Sequence, residues 1–184
     1  MAFRAAREYL QLDVAPCEAF LIVEFYGDTP GEVEEKMAAA MAKPVGLRRQ
    51  CTANPGQMAM VWALRKAGLS LLTGRKGPAK PIAGIEDVEV SPRDLPGFVS
   101  ELEAAAKDVG LQMSFYGHAA SGLVHVRPIV DLHEGDEIAR FRALANFVSQ
   151  LTLKYRGSLS AEHGVGIARS EFMNEHIGET LLDV

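Results

Sequence analysis

The sequence predicts an α+β domain of ferredoxin-like type, an antiparallel sheet with helices packed mainly on one face, as a single domain over 1–184. Three observations predict it. Strand-like and helix-like segments follow the order strand, helix, helix, strand, helix, strand, strand, helix. Two of the strands are joined by a short loop, as a hairpin, while helices cross between the others. The chain has 184 residues, 48% of them hydrophobic, which suits one domain with a real core.

The elements follow in order. "AFLIVEFYG" (19–27) is rich in β-branched and aromatic residues and ends at Gly27, so it reads as a strand. Thr29 then caps a helix, Pro30 fits its first position, and Glu32, Glu34 and Glu35 suit the positive end of the dipole. Val33, Met37, Ala40 and Met41 recur at helical spacing, predicting that this helix lies on a sheet. Asn54 caps a second helix with Pro55 next, expected to stop near Gly68. Met58, Val61 and Trp62 form its apolar stripe, and Arg65 continues it. A charge on an inner face must be paired or must face a cleft.

"TGRKGPAKP" (73–81) is a basic loop rich in Gly and Pro, and "IAGIEDVEV" (82–90) reads as a strand. Ser91-Pro92 opens a third helix, with Asp94 placed as in a capping box and Gly110 at its end. Leu95, Phe98, Leu102, Ala105 and Val109 line one face of it. "LQMSFYG" and "LVHVRPIV" form the hairpin. The longest helix is expected from Asp136 to Tyr155, with Ile138, Phe141, Leu144, Val148 and Leu151 inward and Gly157 as its stop.

Composition excludes some classes of function. A net charge of −5 argues against nucleic acid or an anionic membrane as main partner. No apolar run approaches the ~18 residues that span a bilayer. The charged start "MAFRAAREYLQL" lacks an apolar signal core, so a cytoplasmic protein is expected. Cys17 and Cys51 form no CxxC pair and read as buried structural thiols.

Three of the five histidines fall in two glycine-bearing stretches, "YGHAASGLVHVRP" and "GSLSAEHGVGIARSEF". His118 and His125 flank the hairpin loop. If the loop is Ala119–Gly122, His118 sits opposite Leu123, and His125 is its diagonal neighbour on the same face. Two imidazoles there can converge on one ion, and Glu162 could supply a third ligand. Such an open site suits zinc, manganese or iron. Histidines that are merely half-buried strand-end side chains are the competing reading. "GVGIAR" lacks the third glycine of a dinucleotide fingerprint, having Arg169 there, so its glycines read as sharp turns.

The segments "WALRKAGLSLL", "GIEDVEVSP", "YGHAASGLVHVRP" and "GSLSAEHGVGIARSEF" resemble the C-terminal domain of the FAD-linked oxidases, the family of D-lactate, glycolate and D-2-hydroxyglutarate dehydrogenases. The resemblance implies that His118, His125 and Glu162 are ligands of a divalent metal and that His163, beside the substrate, is a candidate base. It implies that Arg65 holds a substrate carboxylate. It also implies FAD, bound mainly by a separate N-terminal domain, and oxidation of a small 2-hydroxy acid to the 2-oxo acid. Arg75, Lys76 and Lys80 could reach substrate or flavin phosphates, against the plainer reading of a solvated basic loop.

Two departures bear on substrate. Many members of that family read Gly-Asp-Gly-Asn where this chain has Ala120-Ser121-Gly122-Leu123, and many have Asn where it has Arg127. "HVRP" is similar to the subgroup fused to an iron–sulfur domain. Arg127 is either a second carboxylate clamp or part of a structural ion pair. The chain is expected to be a fragment of a longer polypeptide, with the origin of Met1 and self-association left open. A metal-dependent hydrolase and a non-catalytic interaction domain are the rival functions.

Overall fold

The computed structural model describes residues 19–183, apart from the side chains of Leu69 and Leu71. Cys17 lies outside the described residues. The chain divides into two compact units, ending and beginning at Gly74 and Arg75. Among the described residues no helix is long and apolar enough to cross a membrane.

Among the described residues the first unit holds two helices, α1 (Pro30–Ala42) and α2 (Pro55–Thr73). Both start as expected. The Thr29 hydroxyl accepts the Glu32 N–H, and Asn54 Oδ1 accepts the N–H groups of Gly56 and Gln57. Several expectations fail here. The 19–27 segment is not a strand: the described part of this unit has no strand to pair with, and β propensity without a partner ladder does not make one. For the same reason α1 lies on no sheet within its unit, and none of its residues is buried. Nor does α2 stop near Gly68. A glycine in mid-helix costs about 1 kcal/mol without ending the helix, which runs on to its cap at Gly74. The expected stripe on α2 is largely exposed at Met58 and Trp62, while Leu64 is buried. Trp62 Nε1 donates to Glu24 at 2.8 Å. Cys51 is exposed in the coil before α2, not buried.

The second unit carries the sheet. β4 (Leu123–Val130) is its centre, bonded on one side to β3 (Gln112–His118) and on the other to β1 (Lys80–Pro81) and β2 (Val88–Glu89), all antiparallel. Of the segment expected as one strand over 82–90, only β2 is strand; β1 falls at the end of the expected 73–81 loop, and a turn with Asp87 at φ +74° precedes β2. A full ferredoxin-like sheet calls for another strand beyond β2; a single antiparallel bridge, Glu89 to Ser158, stands there. Gly157 permits that approach, since a Cβ on it would lie 2.2 Å from the Glu89 carbonyl oxygen.

Two helices, α3 (Leu95–Asp108) and α4 (Gly135–Lys154), pack on the sheet. Val124, Val126 and Val130 of β4 join Phe98, Leu102 and Ala106 of α3 and Leu144, Val148 and Leu151 of α4 in one core. Alternation along β4 then sends Leu123, His125 and Arg127 to the face without helices. The capping box on α3 does not form; Ser91 to Asp94 make a turn and α3 begins at Leu95. The residue with positive φ after α4 is Arg156. Ile138, expected inward on α4, is 45% exposed. Short helical turns α5 (Gly166–Arg169), α6 (Met173–Ile177) and α7 (Glu179–Leu182) close the unit.

Candidate metal centre

The hairpin has the register the histidine argument requires. His118 pairs with Leu123 and Tyr116 with His125, across a loop of residues 119–122. Both histidines therefore share the helix-free face. The 160–164 loop crosses that face. His118 Nε2 stands 3.8 Å from Glu162 Oε1, and His125 Nε2 stands 3.5 Å from Oε2. The two imidazoles thus flank different oxygens of the Glu162 carboxylate, but the predicted triad is not among the groups of the described residues whose ligand atoms all lie within 4.8 Å of one another.

His163 joins them. Its ring stacks on His125 with centroids 4.9 Å apart and planes at 12°, and its Nδ1 lies 3.6 Å from Glu86 Oε1. Ligand atoms of Glu86, His125 and His163 lie within 4.8 Å of one another, as do those of Asp87, Glu162 and His163. His125 is fixed and the others are open: its side chain is 4% exposed, against 53% for His118 and 44% for Glu162. Burial, helped by a nearby positive charge on His163, lowers the His125 pKa against the pull of Glu86, Asp87 and Glu162. That favours neutral imidazole, the form that binds a metal. His125 Nδ1 is buried without a hydrogen-bond partner in the protein.

Four residues that sequence reasoning did not single out hold this cluster. Asp87, fully buried, accepts N–H groups from Ala161, Glu162 and His163. Burial pushes its carboxyl up, but the His163 and Glu162 N–H bonds, with the charges of His163 and Arg169, outweigh that and hold it below the ordinary range. Arg169 donates to the carbonyls of Glu86 and Gly164 and lies 3.6 Å from Asp87. Glu86 pairs with Arg127, and the Tyr116 ring lies against His125, centroids 4.6 Å apart and planes tilted by 37°. The one available signal was the pair Glu86-Asp87 inside an otherwise apolar strand pattern, since acidic residues in such a run are buried only when paired.

The remaining predicted residues are placed as follows. Arg127 is buried, paired with Glu86 and donating to Tyr116 Oη at 3.2 Å; of the two roles weighed for it, the ion pair is the one its contacts fit. Arg65 is half-buried on α2, in the first unit. Lys76 is exposed in the basic loop. Lys80 pairs with Val130 in β1 and donates its ammonium to the Arg75 carbonyl, tying that loop to itself.

An α+β unit with an imidazole–carboxylate cluster on its open sheet face is the class that the coordinates define. The chain belongs to the family described as FAD linked oxidases, C-terminal domain, which matches residues 1–184. Over 97% of its length it is 30% identical to a D-2-hydroxyglutarate dehydrogenase of Pseudomonas putida, covering 18% of that protein. A D-2-hydroxyglutarate dehydrogenase of Haemophilus influenzae is 38% identical over 65% of the chain, covering 11% of that protein. The glycolate oxidase subunit GlcD of Escherichia coli is 24% identical over 90% of the chain and 33% of its own length. The chain thus spans no more than a third of each of these relatives.

Proposed function

We propose that this chain is the substrate- and metal-binding part of an FAD-dependent oxidoreductase that converts a D-2-hydroxy acid to the 2-oxo acid. The observation that supports the reading is the pair of imidazoles, His118 and His125, facing the two oxygens of the Glu162 carboxylate, with the His163 ring stacked on His125. Two imidazoles and a carboxylate suit zinc, manganese or iron, and the buried unpartnered Nδ1 of His125 fits a ring kept neutral for ligation. His118, His125 and Glu162 would hold the ion. When bound, the cation supplies Lewis acidity toward the substrate hydroxyl, and FAD, held mainly by a domain outside these residues, supplies the hydride acceptor.

His163 takes the hydroxyl proton. The α-hydrogen leaves with its bonding pair as hydride, and the carbon–oxygen bond becomes a carbonyl. Glu86, facing His163 Nδ1, favours a proton on that nitrogen and leaves Nε2 as the basic one. Arg65 holds the substrate carboxylate. Lys76 and Lys80 border the substrate or the phosphates of FAD. The names of the relatives make D-2-hydroxyglutarate the first acid to test. The "HVRP" segment supports electron transfer onward to an iron–sulfur domain.

The test uses the full-length flavoprotein. Bound divalent metal is measured, and D-2-hydroxyglutarate, D-lactate and glycolate are each offered anaerobically while flavin bleaching is followed. A metal-replete flavoprotein that none of these acids reduces refutes the reading.

A further inference from the structure

We infer that Asp87, braced by Arg169, is a positioning residue that holds Glu162 and His163 in register with the histidine hairpin. The inference rests on the reading of Glu162 as ligand and His163 as base, and it explains how an exposed loop keeps them in place.

Asp87 sits at the break between β1 and β2, where φ is +74°, a conformation Asp tolerates better than most residues. A buried carboxylate is costly unless its charge is matched. Here Oδ1 accepts the Glu162 N–H at 3.0 Å, and Oδ2 accepts those of His163 at 2.8 Å and Ala161 at 3.2 Å. The Ser160 hydroxyl adds a contact at 3.4 Å. Arg169, itself 5% exposed, supplies the positive charge and grips the loop through the Gly164 carbonyl and the β1–β2 turn through that of Glu86.

The bonded amides belong to the residues whose side chains build the site. The side chains of Glu162 and His163 are 44% and 49% exposed, so packing alone does not hold them. Anchoring both amides to one buried group fixes the two Cα–Cβ directions relative to His125. The backbone here is bent rather than extended, and His163 Nε2 lies 3.9 Å from Glu162 Oε2, so one anchor sets both side chains in the same cluster.

The experiment compares Asp87→Asn with Asp131→Asn in the full-length flavoprotein. Asparagine fits the same volume and tolerates positive φ, but one of its two polar atoms no longer accepts. Asp131 accepts the His133 N–H at 3.0 Å away from the cluster, so it controls for a lost loop contact. Zinc affinity, kcat, KM, Tm and amide exchange over 160–164 are read in each. In Asp87→Asn, exchange at 161–163 quickens, and zinc affinity and kcat each fall roughly 10–100-fold, the usual effect of losing a group that orients a ligand. KM for the acid moves less, because its carboxylate is held elsewhere. Asp131→Asn leaves zinc affinity and kcat unchanged. Unaltered exchange at 161–163 in Asp87→Asn overturns the inference, as does an equal loss of zinc affinity in Asp131→Asn. A wild-type flavoprotein that neither binds metal nor oxidises the acids sinks the functional reading alone. Should Asp87→Asn fail to fold, Arg169→Lys keeps the charge and loses the fork, and the same readouts decide.

Discussion

Gly122→Ala should destabilise the protein several times more than Gly164→Ala, although both glycines have positive φ. Gly164, at +71°, has no atom near the place a Cβ would occupy. Its substitution costs the left-handed strain of an L residue, about 1–2 kcal/mol, less a few tenths gained by restricting the unfolded chain. The net is roughly 1 kcal/mol. Gly122, at +85°, carries the same strain, but its Cβ would stand 1.8 Å from the Val90 carbonyl oxygen and 3.0 Å from the carbonyl carbon. Both are backbone atoms, so the hairpin loop must leave the end of β2. That movement breaks the 3.1 Å bond from the Val90 N–H to the Gly122 carbonyl, worth about 1 kcal/mol, and adds overpacking of about 1–3 kcal/mol. The sum is roughly 3–5 kcal/mol, or a Tm lower by about 6–20 °C at this chain length. Urea and thermal unfolding of the two variants measure it, with Gly135→Ala, where φ is ordinary and the space open, as a neutral control. Equal losses in Gly122→Ala and Gly164→Ala would refute the reasoning, because strain alone would then explain both.

In the full-length flavoprotein, His163→Ala should keep its metal and lose about 10²–10⁴-fold in turnover, while Glu162→Ala loses metal and activity together; metal analysis beside kinetics decides, and the reverse pattern would exchange the roles. Arg127→Met should cost roughly 3–5 kcal/mol in urea unfolding, since it strands the Glu86 carboxylate in a half-closed pocket; a loss under about 1 kcal/mol would show that the pair is not felt. Burial lowers the pKa of His176, whose Nε2 meets Ser149 Oγ at 3.0 Å, and also that of His125. A folded pKa below the unfolded one means stability that is full above the unfolded imidazole value, near 6.5, and is lost as pH falls through it. Stability should therefore decline from pH 7 toward pH 5, and His176→Gln should flatten part of that slope; an unchanged slope removes His176 from the account.

The second unit was legible in the sequence because its signals are local and agree with one another. Phe98 and Leu102 on α3, and Leu144, Val148 and Leu151 on α4, recur at helical spacing, and these are the residues the core buries. The hairpin register followed once the loop was taken as residues 119–122, although β3 runs one residue later than the 111–117 expected. The 19–27 segment was not, because strand formation depends on a partner that no local pattern reveals. The site divides in the same way. His118, His125, Glu162 and His163 carry spacing and residue type. Asp87 and Arg169 act through backbone contacts between positions more than 70 apart in sequence, and neither composition nor period encodes such a contact.

The sidedness of β4 links core and chemistry. Its even-numbered valines, Val124, Val126 and Val130, are buried under α3 and α4, so its odd-numbered residues must face away. A slip of one residue would drive His125 and Arg127 into a hydrophobic core and expose the valines, at a cost that far exceeds anything a metal ligand returns. The helices therefore fix the position of His125 without touching it. The broken strand does the same for the opposite side of the site. A continuous 82–90 strand would keep its backbone groups in the ladder and its side chains in alternation. The turn before β2 instead frees Asp87 at positive φ to receive the 161–163 amides. Register places the imidazoles and irregularity places the carboxylate, and both are set by the packing of the opposite face.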